Sequence, residues 1–304
     1  MANTDYKMTR DHNVYVIANL PTEYQVKYKY YADIFNAVAD APAGATIVVG
    51  AGRYNIDSII TTTKQINYHF EAGAVLNLQN SSININPNQN ITGYLDLIMT
   101  GPLSNIQISN GVSDFNNVSI QSITTDSPAA VLLGCTGTLN LRIGRITTTN
   151  AALASMQINS LSSNCNIEIG YTNGAIFIDT SSTQVAVAGT IRNTTIETLQ
   201  TATGAIDIYN DGAVTLTVLN SRLHNVRNAS GASGISNEVT SGAVIVKLIN
   251  SIIQTTHASS VSVDSDTPAT LTLMAFGSGA NKAVGANVTE SVTGGLLVEA
   301  DITI

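Results

Sequence analysis

The sequence contains no tryptophan and few charged residues. Charged side chains make up 11% of the 304 residues, against roughly 25% in an average soluble protein. No apolar run approaches the roughly 20 residues of a membrane-spanning helix, and the first residues lack the charged-then-apolar layout of a signal peptide. We therefore expect no membrane insertion, and a chain that stays in the cytosol or leaves it by assembly into a particle or by lysis. A signal peptide that had already been removed would also explain why none is found in this sequence.

Net charge and cysteine content argue against nucleic-acid-binding, membrane-binding and metal-binding proteins. The formal net charge is −8 and the pI is about 4.8, whereas nucleic acids require a basic patch and anionic membranes attract basic segments. Cys135 and Cys165 are the only cysteines and lie 30 residues apart, near one repeat length, which predicts two buried thiols close in space. Two cysteines and four scattered histidines give no metal-ligand spacing. We expect no cofactor, no metal and no nucleic-acid partner.

Serine, threonine and asparagine are abundant, and short apolar segments recur among them. The chain has 27 Ser, 36 Thr and 31 Asn, which favours β-strands joined by polar turns, because disordered chains are highly charged and poor in β-branched residues. Alternating segments return about every 25 to 30 residues after residue 129. They form two series, 130–133, 156–158, 175–178, 205–208 and 260–263, and between them 139–143, 166–169, 214–218, 244–248 and 271–273. Such recurring strands predict a β-solenoid.

The chain divides into three zones. We predict an N-terminal anchoring or capping segment at 1–31, a solenoid at 32–291 with a capping helix near 33–41, and a C-terminal strand or cap at 292–304. The first zone is rich in aromatic residues, which are enriched at interfaces. Either it binds a partner, or it packs on its own first coil as an irregular cap. Its candidate partner-binding residues are Tyr6, Tyr15, Tyr24, Tyr28 and Tyr30.

Residues 32–57 combine a short helix with two strands. Ile34, Ala37, Val38 and Ala41 have the i, i+3, i+4, i+7 spacing of one helix face, and a proline and a glycine at 42–44 end the helix. Strands follow at 45–49 and from residue 53, joined by the turn 50–52. A helix over the first coil would cover the open end of a solenoid.

This stretch resembles the opening of right-handed parallel β-helix proteins of the pectate-lyase-like superfamily, in which I-x-x-A-V-x-x-A leads to P-x-G-x-T-I-x-V-x-x-G-x-Y. The matching residues are Ile34, Ala37, Val38, Ala41, Pro42, Gly44, Thr46, Ile47, Val49, Gly52 and Tyr54. The resemblance implies an all-β fold, a single-stranded right-handed parallel β-helix with a short N-terminal capping helix. It leaves the activity open, because the same opening occurs in lyases, hydrolases, epimerases, phage tailspikes and proteins without known catalysis.

Asparagine–serine pairs recur at comparable points of the repeat. The segments 219–223 and 249–253 lie 30 residues apart, and equivalent positions of a β-helix stack on one another. We therefore predict ladders of side-chain amides along the axis. The tail at 292–304 contains one more alternating strand, which either caps the distal end or pairs with a neighbouring chain.

Few residues fit the polysaccharide chemistry that the resemblance implies. Its lyases use a calcium-binding carboxylate cluster with a basic residue, and its hydrolases use carboxylates within about 10 Å of each other. The weak catalytic candidates are Asp207, Asp211, Asp264 and Arg222. Aligning the first series places Asp179, Tyr209 and Asp264 at one position. Three coils at about 4.8 Å each separate Asp179 from Asp264 by about 14 Å, too far for an acid/base pair. Asp207 and Asp211, on one strand and its following turn, form the best candidate pair. Alternatively, these carboxylates cap backbone N–H groups of turns.

Three functions fit these observations. The first is a non-catalytic structural or receptor-binding component of a phage particle, a tail or head fibre or tailspike. It implies a homotrimer located in the virion that contacts other virion proteins through the N-terminal segment and a host-surface glycan. The second is an extracellular polysaccharide-degrading enzyme (depolymerase, lyase or hydrolase) acting on bacterial surface glycans, although only two tyrosines and three phenylalanines follow residue 95 to line a sugar groove. The third is a bacterial surface adhesin.

Overall fold

The structure is a computed structural model that describes residues 13–16, 30–62, 64–149, 154–179, 186–198, 204–209, 212–238, 242–266, 271–290 and 296–298. With 61% strand and 3% helix, the chain forms a parallel β-solenoid of about eight turns. This confirms the predicted all-β solenoid, while the right hand of the coil stays a prediction. Helix α1 is Ile34–Asp40. The strands are β1 Asn13–Val16, β2 Tyr30–Tyr31, β3 Thr46–Val49, β4 Gly52–Ile56, β5 Asn67–Phe70, β6 Ala74–Gln79, β7 Ser82–Ile85, β8 Ile91–Gly93, β9 Asp96–Thr100, β10 Asn105–Asn110, β11 Phe115–Thr125, β12 Ala129–Cys135, β13 Thr138–Thr148, β14 Ala154–Leu161, β15 Cys165–Thr172, β16 Ala175–Asp179, β17 Val187–Arg192, β18 Thr195–Thr198, β19 Gly204–Tyr209, β20 Val214–Leu219, β21 Arg222–Asn225, β22 Ser233–Asn237, β23 Val244–Ile249, β24 Ile252–Thr255, β25 Val263–Ser265, β26 Leu271–Phe276, β27 Gly279–Ala280, β28 Val288–Glu290 and β29 Leu297–Val298.

Parallel pairing arranges the strands into three stacks that run along the solenoid axis. Stack 1 contains β1, β3, β5, β8, the first parts of β11, β13 and β15, and then β17, β20, β23, β26 and β28. Stack 2 contains β4, β6, β9, the second parts of β11, β13 and β15, and then β18, β21, β24, β27 and β29. Stack 3 contains β7, β10, β12, β14, β16, β19, β22 and β25. Strand β2 pairs with β1.

The core lies between the three stacks and continues through the turns. In β20, Val214, Leu216 and Val218 are buried and the residues between them are partly exposed, as the period of two requires. Equivalent aliphatic side chains of successive turns form one cluster. Burying each such side chain stabilises the fold by roughly 1.5–3 kcal/mol.

The two apolar series predict two of the three stacks. The first series lies in stack 3 and the second in stack 1. Strands β17 and β22 were missed within these series, and stack 2 was not recognised. Strand β22 has the sequence SGISN, with all five residues buried, so small polar residues fill positions where the sequence pattern requires aliphatic ones.

Helix α1 lies where its apolar spacing predicts it. The carboxylate Oδ1 of Asp33 accepts a hydrogen bond from the Asn36 backbone N–H at 2.8 Å and caps the first turn. The side chains of Ile34, Ala37 and Val38 are buried, and the helix contacts β1, β2 and β3. Strand β1 comes from the predicted N-terminal segment and pairs with β3, so part of that segment extends stack 1. The predicted boundaries at 31 and 291 stay predictions.

The corner between stacks 1 and 2 repeats one hydrogen-bond pattern. Asn193, Asn220 and Asn250 have left-handed φ angles of 48°, 49° and 47°, which asparagine adopts more readily than most residues. The following hydroxyls then form a ladder, in which the N–H of each residue donates to the Oγ of the next turn. Its contacts are Thr194 N to Ser221 Oγ at 3.2 Å, Ser221 N to Ser251 Oγ at 3.1 Å and Ser251 N to Ser278 Oγ at 3.0 Å. The predicted stacking of these corners is confirmed, but the ladder is built by hydroxyls rather than by amides.

An amide ladder occurs instead on the outer face of stack 1. The asparagines that occupy one register position of five successive turns are Asn67, Asn90, Asn117, Asn140 and Asn166, of which Asn90 directly precedes β8. Their side chains bond from turn to turn, as in Asn140 Nδ2 to Asn117 Oδ1 at 2.9 Å and Asn166 Nδ2 to Asn140 Oδ1 at 3.4 Å. We call this row the amide ladder.

The distal tail pairs within its own chain. Strand β29 joins β27 in stack 2, and Leu296 is buried in the common core, whereas Leu297 and Val298 are exposed. Of the two alternatives for the tail, the described strand therefore extends its own solenoid.

Candidate functional site

Stack 3 brings two of the predicted acids to one outward position. Asp207 pairs with Ser236, which pairs with Asp264, so the two carboxylates are two rungs apart, about 10 Å at the usual strand spacing. Asp179 pairs with Tyr209 instead. The predicted alignment of Asp179, Tyr209 and Asp264 was therefore wrong for Asp264, because the unrecognised strand β22 sets the register of β25.

The surroundings of the two aspartates differ. Asp207 is only 4% exposed. Asp264 is partly exposed, and its Oδ1 accepts a hydrogen bond from the Ser265 backbone N–H at 3.0 Å. A Cβ on Gly285 would lie 2.5 Å from the same oxygen, so a larger residue there would displace the Asp264 carboxylate. Asp211, the remaining predicted acid, lies outside the described residues.

Arg222 is on a different face from these acids. It lies in β21 of stack 2, where its Nε donates to Gln254 Oε1 at 3.0 Å and its Nη1 is 3.8 Å from Glu197 Oε1. Arg222 therefore does not join Asp207 and Asp264 in one site.

Arg222 belongs instead to a cluster that crosses successive turns of stack 2. The guanidinium of Arg145 lies 4.7 Å from the ring centre of Tyr171, a cation–π distance. The Glu197 carboxylate, which lies 3.8 Å from Arg222, is near enough to Tyr171 to raise its pKa. We call this set the stack 2 polar cluster; its members are Arg145, Tyr171, Glu197, Arg222, His224 and Gln254.

Burial shifts the titration of two members of the cluster. Burial, followed by the Glu197 carboxylate, raises the pKa of Tyr171, while Arg145 acts in the opposite direction. Burial and then the Arg222 guanidinium lower the pKa of His224, against the effect of Glu197. His224 Nε2 lies 3.3 Å from Thr256 Oγ1, and its Nδ1 is buried without a partner in the described part of the chain. An imidazole beside the Arg222 guanidinium and the Glu197 carboxylate offers hydrogen-bond donors and acceptors to a polar ligand.

The spacing of charged and aromatic residues in the sequence indicates this cluster, but the apolar repeat alone does not reveal it. Residues 145, 171, 197 and 224 are 26, 26 and 27 residues apart, close to the solenoid repeat. Charged or aromatic residues that recur at the repeat length are expected on one face, and this rule would have found Tyr171, Glu197 and His224.

The N-terminal tyrosines are only partly described. Tyr15 and Tyr30 are register partners in β1 and β2, while Tyr6, Tyr24 and Tyr28 lie outside the described residues. A cleft of about 330 Å³ lies between α1 and residues 59–62 and 64, with Phe35, Ile60 and Lys64 in its lining. A second cleft of about 280 Å³ separates α1 from β4.

The cysteines lie inside the core. Cys135 and Cys165 are buried and free, and the Cys165 thiol lies 3.8 Å from the Cys135 carbonyl oxygen, which confirms two buried thiols close in space. Burial, together with the neighbouring Cys165, raises the pKa of Cys135 to about 12.

Within the described ranges, no group of three or more His, Cys, Asp or Glu side chains is placed to hold a metal ion. Among the same residues, no helix has the length and apolar character needed to cross a bilayer.

Comparison with protein-family models found no matching family, and comparison with curated proteins and with solved structures found no match either.

Proposed function

We propose that the protein is a non-catalytic component of a phage particle, a tail or head fibre or a tailspike-like protein of the pectate-lyase-like type, which contacts a host-surface glycan. The observation that carries the proposal is the amide ladder on stack 1. Asn117 and Asn140 are exposed, and each turn repeats an amide that both donates and accepts hydrogen bonds. Sugar hydroxyls need partners of that kind.

The hydroxyl corners and the continuous core support the same proposal. Backbone pairing joins each strand of stack 1 to the next from β3 to β26. The amide ladder reinforces the earlier turns and the hydroxyl corners reinforce the later ones. A fibre that transmits contact between a particle and a cell surface needs such stiffness. The homotrimer and the attachment of the N-terminal segment to other virion proteins are part of this proposal.

Binding to a panel of bacterial surface polysaccharides tests the glycan contact. We expect at least one polymer to bind without becoming shorter, and we expect the double substitution Asn117→Ala with Asn140→Ala to weaken it. Each amide contributes about 0.5–1.5 kcal/mol, so the Kd rises roughly tenfold. Gln107→Ala is the matched control, because Gln107 is an exposed amide on stack 3. Binding to no polymer, or equal loss in the control, contradicts the proposal.

A polysaccharide-degrading enzyme is the second candidate. It is favoured by the shared outward position of Asp207 and Asp264, whose spacing of about 10 Å is near the roughly 6.5–9.5 Å of inverting hydrolases. If this function holds, polymers become shorter, and both Asp207→Asn and Asp264→Asn abolish the shortening. Asp179→Asn, on the same stack but at another position, leaves it unchanged.

A further inference from the structure

The outer face of stack 1 changes character along the axis. In the middle turns it carries polar residues such as Asn140, Arg142 and Glu168. In the distal turns, β20, β23 and β26, most outward positions are apolar. These residues, which we call the distal apolar patch, are Leu219, Ile245, Ile249, Met274 and Phe276.

One row of the patch is continuous across three strands, and its last side chain is exposed to solvent. Leu219, Ile249 and Phe276 occupy one position of three adjacent strands, and Phe276 is 43% exposed. Lys247 stands in the middle, paired in register with Met274, and forms no ion pair among the described residues. Contiguous apolar patches on soluble proteins mark interaction sites, so a partner of this patch must also accommodate a cation.

Stack 3 carries the complementary charge in the same part of the solenoid. Its outward carboxylates, which we call the acidic face, are Asp179, Glu238, Asp264 and Asp266. Strands β16, β19, β22 and β25 contain no Lys or Arg. The nearest cations in sequence or pairing are Arg227, in the segment that leads into β22, and Lys282, whose backbone bonds the Ser262 side chain next to β25. Tyr209, 51% exposed, adds an aromatic side chain to this face.

The distal apolar patch and the acidic face lie at the same level along the solenoid axis. Strands β22 and β23 follow one another along the chain, so Glu238 and Lys247 belong to the same turn, and Asp266 lies one turn further. Two copies placed side by side with parallel axes at equal height would therefore bring Lys247 of one copy level with Glu238 of the other. Two distal apolar patches facing each other would instead bring two lysines together in an apolar contact, which costs free energy.

We propose that the distal apolar patch of one copy packs against the acidic face and Tyr209 of a second copy, side by side and parallel. The inference rests on the proposed function, because it specifies which faces meet in the homo-oligomer of a fibre or spike. The contact joins two different faces, so it closes into a ring when the rotation between copies permits. Tyr209 supplies the aromatic anchor that dominates many interfaces.

Light scattering of the full chain and two charge reversals test the contact. The wild type is expected above its monomer mass of 31.8 kDa. Lys247→Glu alone and Asp266→Lys alone are each expected to raise the dissociation constant about tenfold or more, as charge reversals at complementary interfaces do. An equimolar mixture of the two variants should associate again, because each then offers the other a complementary face. Arg53→Glu, an exposed reversal on β4 of stack 2, is the control and should keep the wild-type mass.

Three outcomes overturn the inference: a monomeric wild type, a Lys247→Glu variant with unchanged association, or one with stronger association, as the contact between two apolar patches predicts. Circular dichroism verifies that each outward substitution leaves the fold intact. A wild type that associates while the substitutions have no effect refutes this contact between the two faces but leaves the proposed function standing. A chain absent from purified particles refutes the proposed function but not the contact.

Discussion

Ser221 and Ser251 occupy the same corner of successive turns, and the backbone N–H of Ser221 donates to the hydroxyl oxygen of Ser251 at 3.1 Å. The Ser251 hydroxyl in turn lies 3.0 Å from the carbonyl oxygen of Ile249 and 3.1 Å from that of Val218. A buried serine thus provides the partners that the backbone lacks where it leaves the sheet. Corners of a solenoid are otherwise the places where buried backbone groups lose their strand partners.

Replacing Ser251 by alanine should destabilise the protein because it removes the acceptor of a buried N–H group. We expect a loss of about 1–3 kcal/mol in the free energy of unfolding, measured by urea denaturation. Thr217→Ala, on the partly exposed outer face of the neighbouring strand, should change it by no more than about 0.5 kcal/mol. Equal effects of the two substitutions would show that the hydroxyl ladder does not stabilise the corner.

The left-handed backbone at the same corner leads to a second prediction. Asn220 has a φ of 49°, so Asn220→Ala should cost about 1 kcal/mol, because a Cβ without a local polar partner is disfavoured there. Asn220→Gly should cost little or increase stability slightly, since glycine adopts this region freely. Thermal unfolding of both variants measures the difference, and an alanine variant as stable as the glycine variant would contradict it.

His224 should make the protein less stable as the pH falls below about 6.5. Its pKa in the folded chain is lowered from the ordinary value of 6.5, so below that value the unfolded chain binds more protons than the folded one. Stability is then fully present above about pH 6.5 and falls as the pH drops towards the folded pKa. The His224→Gln variant should lose this part of the slope in unfolding measurements, whereas His257→Gln, in a turn, should retain it.

The two cysteines should be unreactive in the native protein. Burial raises the pKa of Cys135 to about 12, and the thiolate is the reactive species. Iodoacetamide at neutral pH should modify neither Cys135 nor Cys165 until denaturant is added, after which mass spectrometry should detect two modifications. Labelling of the folded chain would show that this part of the core opens.

Sequence reasoning found the parts of the fold in which aliphatic side chains alternate with polar ones. Stacks 1 and 3 meet that condition in most turns. Stack 2 does not, because its four-residue strands bury Thr198, Asn225 and Thr255 beside only one inward aliphatic residue each. At the last of these strands the Thr255 backbone N–H donates to Asn281 Oδ1 of the next turn at 3.0 Å, while the Thr255 hydroxyl is buried without a partner among the described residues. No local sequence pattern reveals such surroundings.

Less of the candidate sites than of the fold could be predicted, because the sites also depend on which residues pair between turns. Strand β22 lacks aliphatic alternation and was not recognised. Asp264 was therefore predicted at the register position of Asp179, whereas the pairing places it at the register position of Asp207. The stack 2 polar cluster depends on the register of five strands, β13, β15, β18, β21 and β24, which only the pairing defines. Composition predicted hydroxyl- and amide-rich surfaces, but which of the two groups forms a ladder at a given corner depends on backbone conformation.

The presence of the chain in phage particles tests the central proposal most directly. Particles released by the strain that encodes the chain would be purified on a density gradient, analysed by mass spectrometry and labelled with a gold-conjugated antibody against the folded protein. We expect the chain to copurify with intact particles and the gold to mark their tails or heads. A chain that is abundant in the lysate but separates from the particles would contradict it.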